Sequence, residues 1–305
     1  MNADPLITTL IDLYDAMARS DFKLILGGGF GLYLKQLHLQ RQIGLRTLLP
    51  GELWPLPRAT EDLDVFLPTE VVVSLADMQA LRAALDQLGF KPVEEAKFLH
   101  FVKPWGTGGR VKIDMLTGPI DTASATKVQI LPPRVRPRGK VELHAYLTEE
   151  ALDFELSLLP LTVEGIGSDG KAGQAIVFIP QPFTFLLMKL HAFADRAENA
   201  DSDLGRHHAL DVYRIVAMLT EEEYALVRLG VENHTTSDPV HRAREIIAKY
   251  FSSPTAMGMI RMASALIRHG YSRFFRHAFQ TWVATEASCF VSNLSNLWVE
   301  QPGTG

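Results

Sequence analysis

The stretch that decides the fold is Arg58-Ala59-Thr60-Glu61-Asp62-Leu63-Asp64-Val65-Phe66-Leu67-Pro68. Side chains alternate across a strand, so Asp62 and Asp64 share one face while Leu63 and Val65 share the other. Two carboxylates held that close repel unless a cation or a proton intervenes, and a hard, oxygen-seeking ion such as magnesium or manganese is the natural partner. A surface strand with two solvated acids would show the same spacing. What separates the two readings is that these acids open an apolar run, Val65-Phe66-Leu67, rather than lying in a charged loop.

Upstream, Lys23 to Leu26 forms a short apolar run that ends in Gly27, Gly28 and Gly29 and leads into a helix carrying Leu32, Tyr33, Leu37 and Leu39. A glycine turn opening a helix lets backbone N–H groups approach a phosphate, and the helix start adds partial positive charge. The glycines lack the spacing of a P-loop or of the dinucleotide fingerprint. A tight strand-to-helix turn would look the same. Downstream, Val111-Lys112-Ile113-Asp114-Met115-Leu116 places Asp114 in a second apolar strand. Three carboxylates on two neighbouring strands could hold two metal ions about 4 Å apart, the geometry of in-line phosphoryl displacement. A strand-end acid before the turn at Thr117 and Gly118 is the other reading of Asp114.

The surrounding pattern predicts an α+β protein: a mixed sheet with helices, then a mainly helical C-terminal domain. Helices are expected over residues 6–19 and 74–88, and strands over 98–102, 111–116, 128–131, 141–146 and 175–179. After Pro180 and Pro182 the helical period takes over, in segments 183–194, 209–219, 221–229, 239–250, 256–269 and 274–291. The domains are therefore expected at 1–180 and 181–305.

The 305 residues carry a formal charge of −5, which argues against a chain that coats nucleic acid without specificity. Cys289 is the lone cysteine, so neither an intrachain disulfide nor a thiolate cluster is expected. No apolar run is long enough to span a bilayer and the start lacks a signal-peptide pattern, so a cytoplasmic protein with no membrane partner is expected.

The order of these elements resembles the DNA-polymerase-β-type nucleotidyltransferases: a Gly-Gly turn opening a helix, then Arg58-x-Thr60-x-Asp62-Leu63-Asp64, then Lys112-Ile113-Asp114. More narrowly it is similar to the AbiEii and MenT type, known as toxins of toxin–antitoxin and phage-defence pairs. The likeness continues through Lys189 in Phe-Leu-Leu-Met-Lys-Leu-His and through His-Ala-Leu-Asp-Val-Tyr-Arg, which contains Asp211. The resemblance implies that Asp62, Asp64 and Asp114 are catalytic and hold the metal ions. It also implies that Gly27, Gly28, Gly29, Arg58, Thr60, Lys189, Arg196 and Asp211 bind a nucleoside triphosphate. The implied acceptor is RNA, in particular the 3′ end of a tRNA, and the implied partner is a cognate antitoxin. Two positions depart from the pattern: Gly29 and Phe30 follow where many relatives place a serine, and His207 stands where a lysine often precedes the His-Ala-Leu-Asp stretch. A small-molecule acceptor, as in antibiotic-modifying enzymes, or a catalytically silent nucleotide-binding protein would be compatible with the same motifs.

Lys189 on an apolar helix could instead reach out to solvent. His191, His207 and His208 do not form a zinc ligand set, because neighbouring histidines on a helix point apart. Two basic stretches could meet a phosphate backbone: Arg134, Arg136, Arg138 and Lys140, and Arg261, Arg268, Arg273 and Arg276 with Tyr271, Phe274 and Phe275 for stacking. Each could equally be a solvated arginine face.

Overall fold

Among the described residues every strand joins one sheet of ten. The computed structural model describes residues 4–17, 22–56, 60–201, 203–266 and 286–299. The strands are β1 (Ile25–Leu26), β2 (Asp62–Phe66), β3 (Lys91–Pro92), β4 (His100–Trp105), β5 (Gly109–Thr117), β6 (Val128–Leu131), β7 (Arg134–Pro137), β8 (Ala145–Leu147), β9 (Leu159–Ile166) and β10 (Ala172–Ile179). Their order is β6-β7-β8-β5-β2-β1-β10-β9, with β4 also paired to β5, and β3 to β4. The sheet is mixed: β2 runs parallel to β5, and β1 antiparallel to β2.

Helices of this half begin at α1 (Pro5–Ala16), α2 (Gly28–Gln40), α3 (Thr69–Val73), α4 (Leu75–Gln87) and α5 (Thr122–Ala125). Their starts follow from local chemistry. Asp4 caps α1 by accepting from the N–H groups of Leu6 and Ile7, with Pro5 in the first turn. Ser74 caps α4 through the Asp77 N–H. Helix α1 packs on β9 and β10, and Leu10, Ile11 and Leu13 are buried. Leu63, Val65, Ile113 and Met115 line the inner face of β2 and β5, each at most 1% exposed. Burial of such side chains is worth about 1.5–3 kcal/mol each, and it pins the register that turns the acids to the other face.

The later helices are α6 (Pro182–Arg196), α7 (Arg206–Ala217), α8 (Glu221–Asn233), α9 (Asp238–Tyr250), α10 (Met257–Leu266) and a last one at Glu286–Trp298. Thr220 and Glu223 form a reciprocal capping box at α8. Helix α6 packs on α7, α8 and α9.

The chain divides into two units: Met1–Lys35 with Ala59–Pro180, and Gln36–Arg58 with Gln181–Gly305. Segment 36–58, assigned by the linear reading to the first domain, thus belongs with the helical unit. The reason is a set of sequence-distant bonds. The N–H groups of Leu48 and Leu49 donate to the carbonyls of Leu219 and Ala217, and the Tyr213 hydroxyl donates to the Leu53 carbonyl. Among the described residues no helix is long and apolar enough to cross a membrane.

Candidate active site

Strand β2 turns Asp62 and Asp64 outward, half-buried, between the buried Leu63 and Val65. In the parallel pairing of β2 with β5, Asp64 stands opposite Asp114 and Asp62 opposite Lys112. Adjacent strands lie about 4.8 Å apart, so the three acids and one lysine occupy a single patch of the sheet.

The glycine turn closes one side of that patch. The Gly27 N–H donates to the Asp64 carbonyl at 2.8 Å, which anchors the turn to β2. Gly28 has φ of +61°, and a Cβ there would overlap the Asp64 carboxylate. A Cβ at Gly27 would run into the Phe66 ring. Both positions therefore require the smallest residue for contact reasons, and Gly28 also for its backbone conformation. Gly28 and Gly29 form the first residues of the 13-residue helix α2, whose starting N–H groups and dipole favour negative charge.

Asp114 has partners on both oxygens: His100 Nδ1 on one at 2.5 Å, and Lys112 Nζ on the other at 2.8 Å. His100 reaches it from β4, where the antiparallel pairing sets His100 opposite Asp114. Lys112 comes from two residues earlier on the same face of β5. No motif in the sequence marks His100. Its segment reads as a strand, but only the register between β4 and β5 brings the imidazole to the carboxylate.

Among the described residues no group of three or more His, Cys, Asp or Glu side chains is arranged to hold a metal ion, and both Asp114 oxygens are engaged by His100 and Lys112. Asp62 and Asp64 still make a two-carboxylate set. Magnesium commonly takes one or two carboxylates and fills its remaining positions with water and substrate phosphate oxygens, so the pair fits such an ion. Thr60 accepts from the Asp62 N–H at 3.3 Å and so braces the entry to β2. Arg58 lies outside the described residues.

In the helical unit, Asp211 is fully buried and forms ion pairs with Lys189 at 2.8 Å and Arg214 at 3.2 Å. Arg214 also donates to the Gln36 side-chain oxygen, and Gln36 donates to the Pro55 carbonyl. Lys189, only 7% exposed, therefore ends on a buried carboxylate instead of reaching out to solvent. The half-buried Arg196 donates to the Ala192 carbonyl one turn earlier. His208 is buried, and that burial holds its imidazole neutral, reinforced by Lys189 and His207 and opposed by Asp211. His191 is satisfied by the Pro239 carbonyl, a structural contact. The predicted residues thus form two groups in different units: Gly27, Gly28, Gly29, Thr60, Asp62, Asp64 and Asp114 in one, Lys189, Arg196 and Asp211 in the other.

Of the basic stretches, Arg134 and Arg136 lie on β7 with Arg138 and Lys140 exposed after it. Arg261 donates to the Leu204 carbonyl and lies over the Phe193 ring. Arg268, Tyr271, Arg273, Phe274, Phe275 and Arg276 lie outside the described residues.

No protein-family model matches the chain. No curated protein matches it either. A solved structure that does match is the antibiotic-resistance factor ANT(2'')-Ia in solution, with 12% identity over 78% of this chain and 96% of that one, at a TM-score of 0.37. A likeness that distant leaves the chemistry to be argued from the residues themselves. The fold they build is an α+β one, a mixed sheet with helices and a separate helical unit.

Proposed function

We propose that this protein is a metal-dependent nucleotidyltransferase. The oxygen of an acceptor hydroxyl attacks the α-phosphorus of a nucleoside triphosphate and gives up its proton to solvent, the bond from that phosphorus to the oxygen bridging to the β-phosphate breaks, and pyrophosphate leaves. The observation that carries the reading is the juxtaposition of Asp64 with Asp114 across parallel strands, with the Gly28 backbone pressed on the Asp64 carboxylate. A patch of acids alone would repel a triphosphate; acids bordered by a helix start and by Lys112 suit one brought in with a cation.

Asp62 and Asp64 would hold magnesium, or manganese in its place, with the triphosphate oxygens. Bound there, the metal would neutralise phosphate charge and lower the pKa of the acceptor hydroxyl. The backbone N–H groups at Gly28 and Gly29 would orient the phosphates, and Asp114, fixed by His100 and Lys112, would position the attacking hydroxyl. Much of the acceleration would come from alignment.

The acceptor we infer is RNA, with the 3′ end of a tRNA as the specific case, and the biological role that of a growth-arresting toxin countered by an antitoxin. The likeness to AbiEii and MenT proteins supports that choice. The test is to incubate the protein with each labelled nucleoside triphosphate, magnesium and total RNA, beside Asp64→Ala. Transfer to RNA that disappears in the variant is expected. No transfer from the unaltered protein sinks the reading, and transfer that survives Asp64→Ala sinks the site. Expression should arrest growth and Asp64→Ala should not.

A further inference from the structure

The outward face of β5 does not end at Asp114. Leu116, two residues on and on the same face, pairs with Tyr146 of β8. Tyr146 pairs in turn with Arg134 of β7, and Arg134 with Leu131 of β6. Arg136, two residues after Arg134, shares its face. One continuous surface therefore runs from the paired acids to a tyrosine and then to arginines. By strand spacing and rise, Tyr146 lies about 8 Å and Arg134 about 12 Å from Asp114, backbone to backbone.

Three properties separate this surface from ordinary solvated sheet. Tyr146 is 41% exposed although its neighbours Ala145 and His144 are buried, and Leu131 beyond it is 51% exposed. Arg136 is fixed by the carbonyls of Pro137 and Gly139 and by Gln129. Arg134, by contrast, has no acidic partner among the described residues.

We propose that this face is the seat of the acceptor, and that the acceptor is a single-stranded RNA end whose base stacks on Tyr146 and whose backbone phosphate meets Arg134. The inference rests on the nucleotidyl-transfer reading for the placement of the reactive hydroxyl near Asp114. An aromatic platform beside a cation is the arrangement that holds single strands, because every base has a π-face and every nucleotide a phosphate. A small polycationic acceptor would be repelled by the same arginines. Tyr146 and Arg134 are positioning residues for the acceptor strand.

The test measures binding of a short labelled RNA with a free 3′ hydroxyl by fluorescence anisotropy, without nucleotide. Tyr146→Ala and Arg134→Ala should each weaken it by roughly fivefold to a hundredfold, while Tyr146→Phe, which keeps the ring, should bind like the unaltered protein. Arg134→Ala should also reduce the slope of log affinity against log salt by about one. In the label-transfer assay both alanine variants should raise the KM for RNA and leave that for the triphosphate unchanged. Transfer to RNA with unaltered KM in both variants would overturn the acceptor seat and leave nucleotidyl transfer standing. RNA binding that depends on Tyr146 and Arg134, with no label transfer, would support the seat and overturn the enzymatic reading. No RNA binding by the unaltered protein, or equal losses in Tyr146→Phe and Tyr146→Ala, would overturn the seat outright.

Discussion

The Gly28 Cα presents its hydrogen-only side to the Asp64 carboxylate, in a space that any Cβ would have to share with that carboxylate. The contact ties the helix start to the acid strand. Gly28→Ala therefore meets two costs at once, left-handed backbone strain of about 1 kcal/mol and displacement of the carboxylate. Gly106, with φ of +54° and nothing near its absent Cβ, meets only the first. Thermal melting should show Gly28→Ala as the more destabilised of the two. Nucleotidyl transfer should fall by roughly a hundredfold in Gly28→Ala alone, the scale expected when a reacting group moves by about 1 Å. Equal effects of the two substitutions would contradict the contact.

Asp211 is the anion between two cations in the helical unit. Removing it takes from Lys189 and Arg214 the carboxylate they share, a loss of roughly 3–5 kcal/mol for a broken buried pair. Urea denaturation should show Asp211→Ala as the more destabilised of the pair Asp211→Ala and Lys189→Met. Lys189→Met should cost less, because Asp211 retains Arg214. If Asp211→Ala unfolds at the same urea concentration as the parent, the buried network does not hold this unit together.

His144 carries the clearest pH dependence of the sheet unit. Burial first, then Arg136 and Arg134, lower its pKa from 6.5 to about 4. Between those values the unfolded chain binds the proton that the folded chain refuses. Stability is thus fully present above pH 6.5 and is lost as pH falls toward about 4. His208, pushed the same way, adds to the trend. His144→Gln isolates the contribution of His144: the difference in urea midpoint between variant and parent should move in the variant's favour as pH drops through this window. A difference that stays constant from pH 7 to pH 4 would contradict the assignment.

Which of these features were legible in the chain depends on the range of the interaction that makes them. Asp62 and Asp64 share a face because of alternation within five residues, and the sequence shows it directly. The strand at Val128–Leu131 follows its β-branched run in the same way. Thr69–Val73 does the opposite: three consecutive valines favour a strand, yet the segment forms a short helix. There the Thr69 N–H and hydroxyl both donate to Glu155, an interaction spanning 86 residues. Leu159–Ile166 does not read as a strand in the sequence, because Pro160 and Gly165 break its pattern. It lies at the sheet's edge, where proline is tolerated. Asp64 opposite Asp114 is a register across fifty residues, and segment 36–58 joins the helical unit through backbone bonds to Ala217 and Leu219. Local periodicity carries neither.

His100 offers the sharpest separation between holding the fold and serving the chemistry. Its ring is bonded to Asp114 from a neighbouring strand, with a side chain 28% exposed, so its loss opens no core cavity. Without it, Asp114 keeps Lys112 but loses the contact that fixes its other oxygen. A partner that orients a functional carboxylate is commonly worth 10–100-fold in activity, and His100→Ala should lose about that factor in kcat. His100→Gln, which can still donate from the same strand position, should recover part of it. The melting temperatures of both variants should stay close to the parent's, and the KM for triphosphate should change little. A fall confined to KM, or no difference between alanine and glutamine, would show that His100 does not act through Asp114.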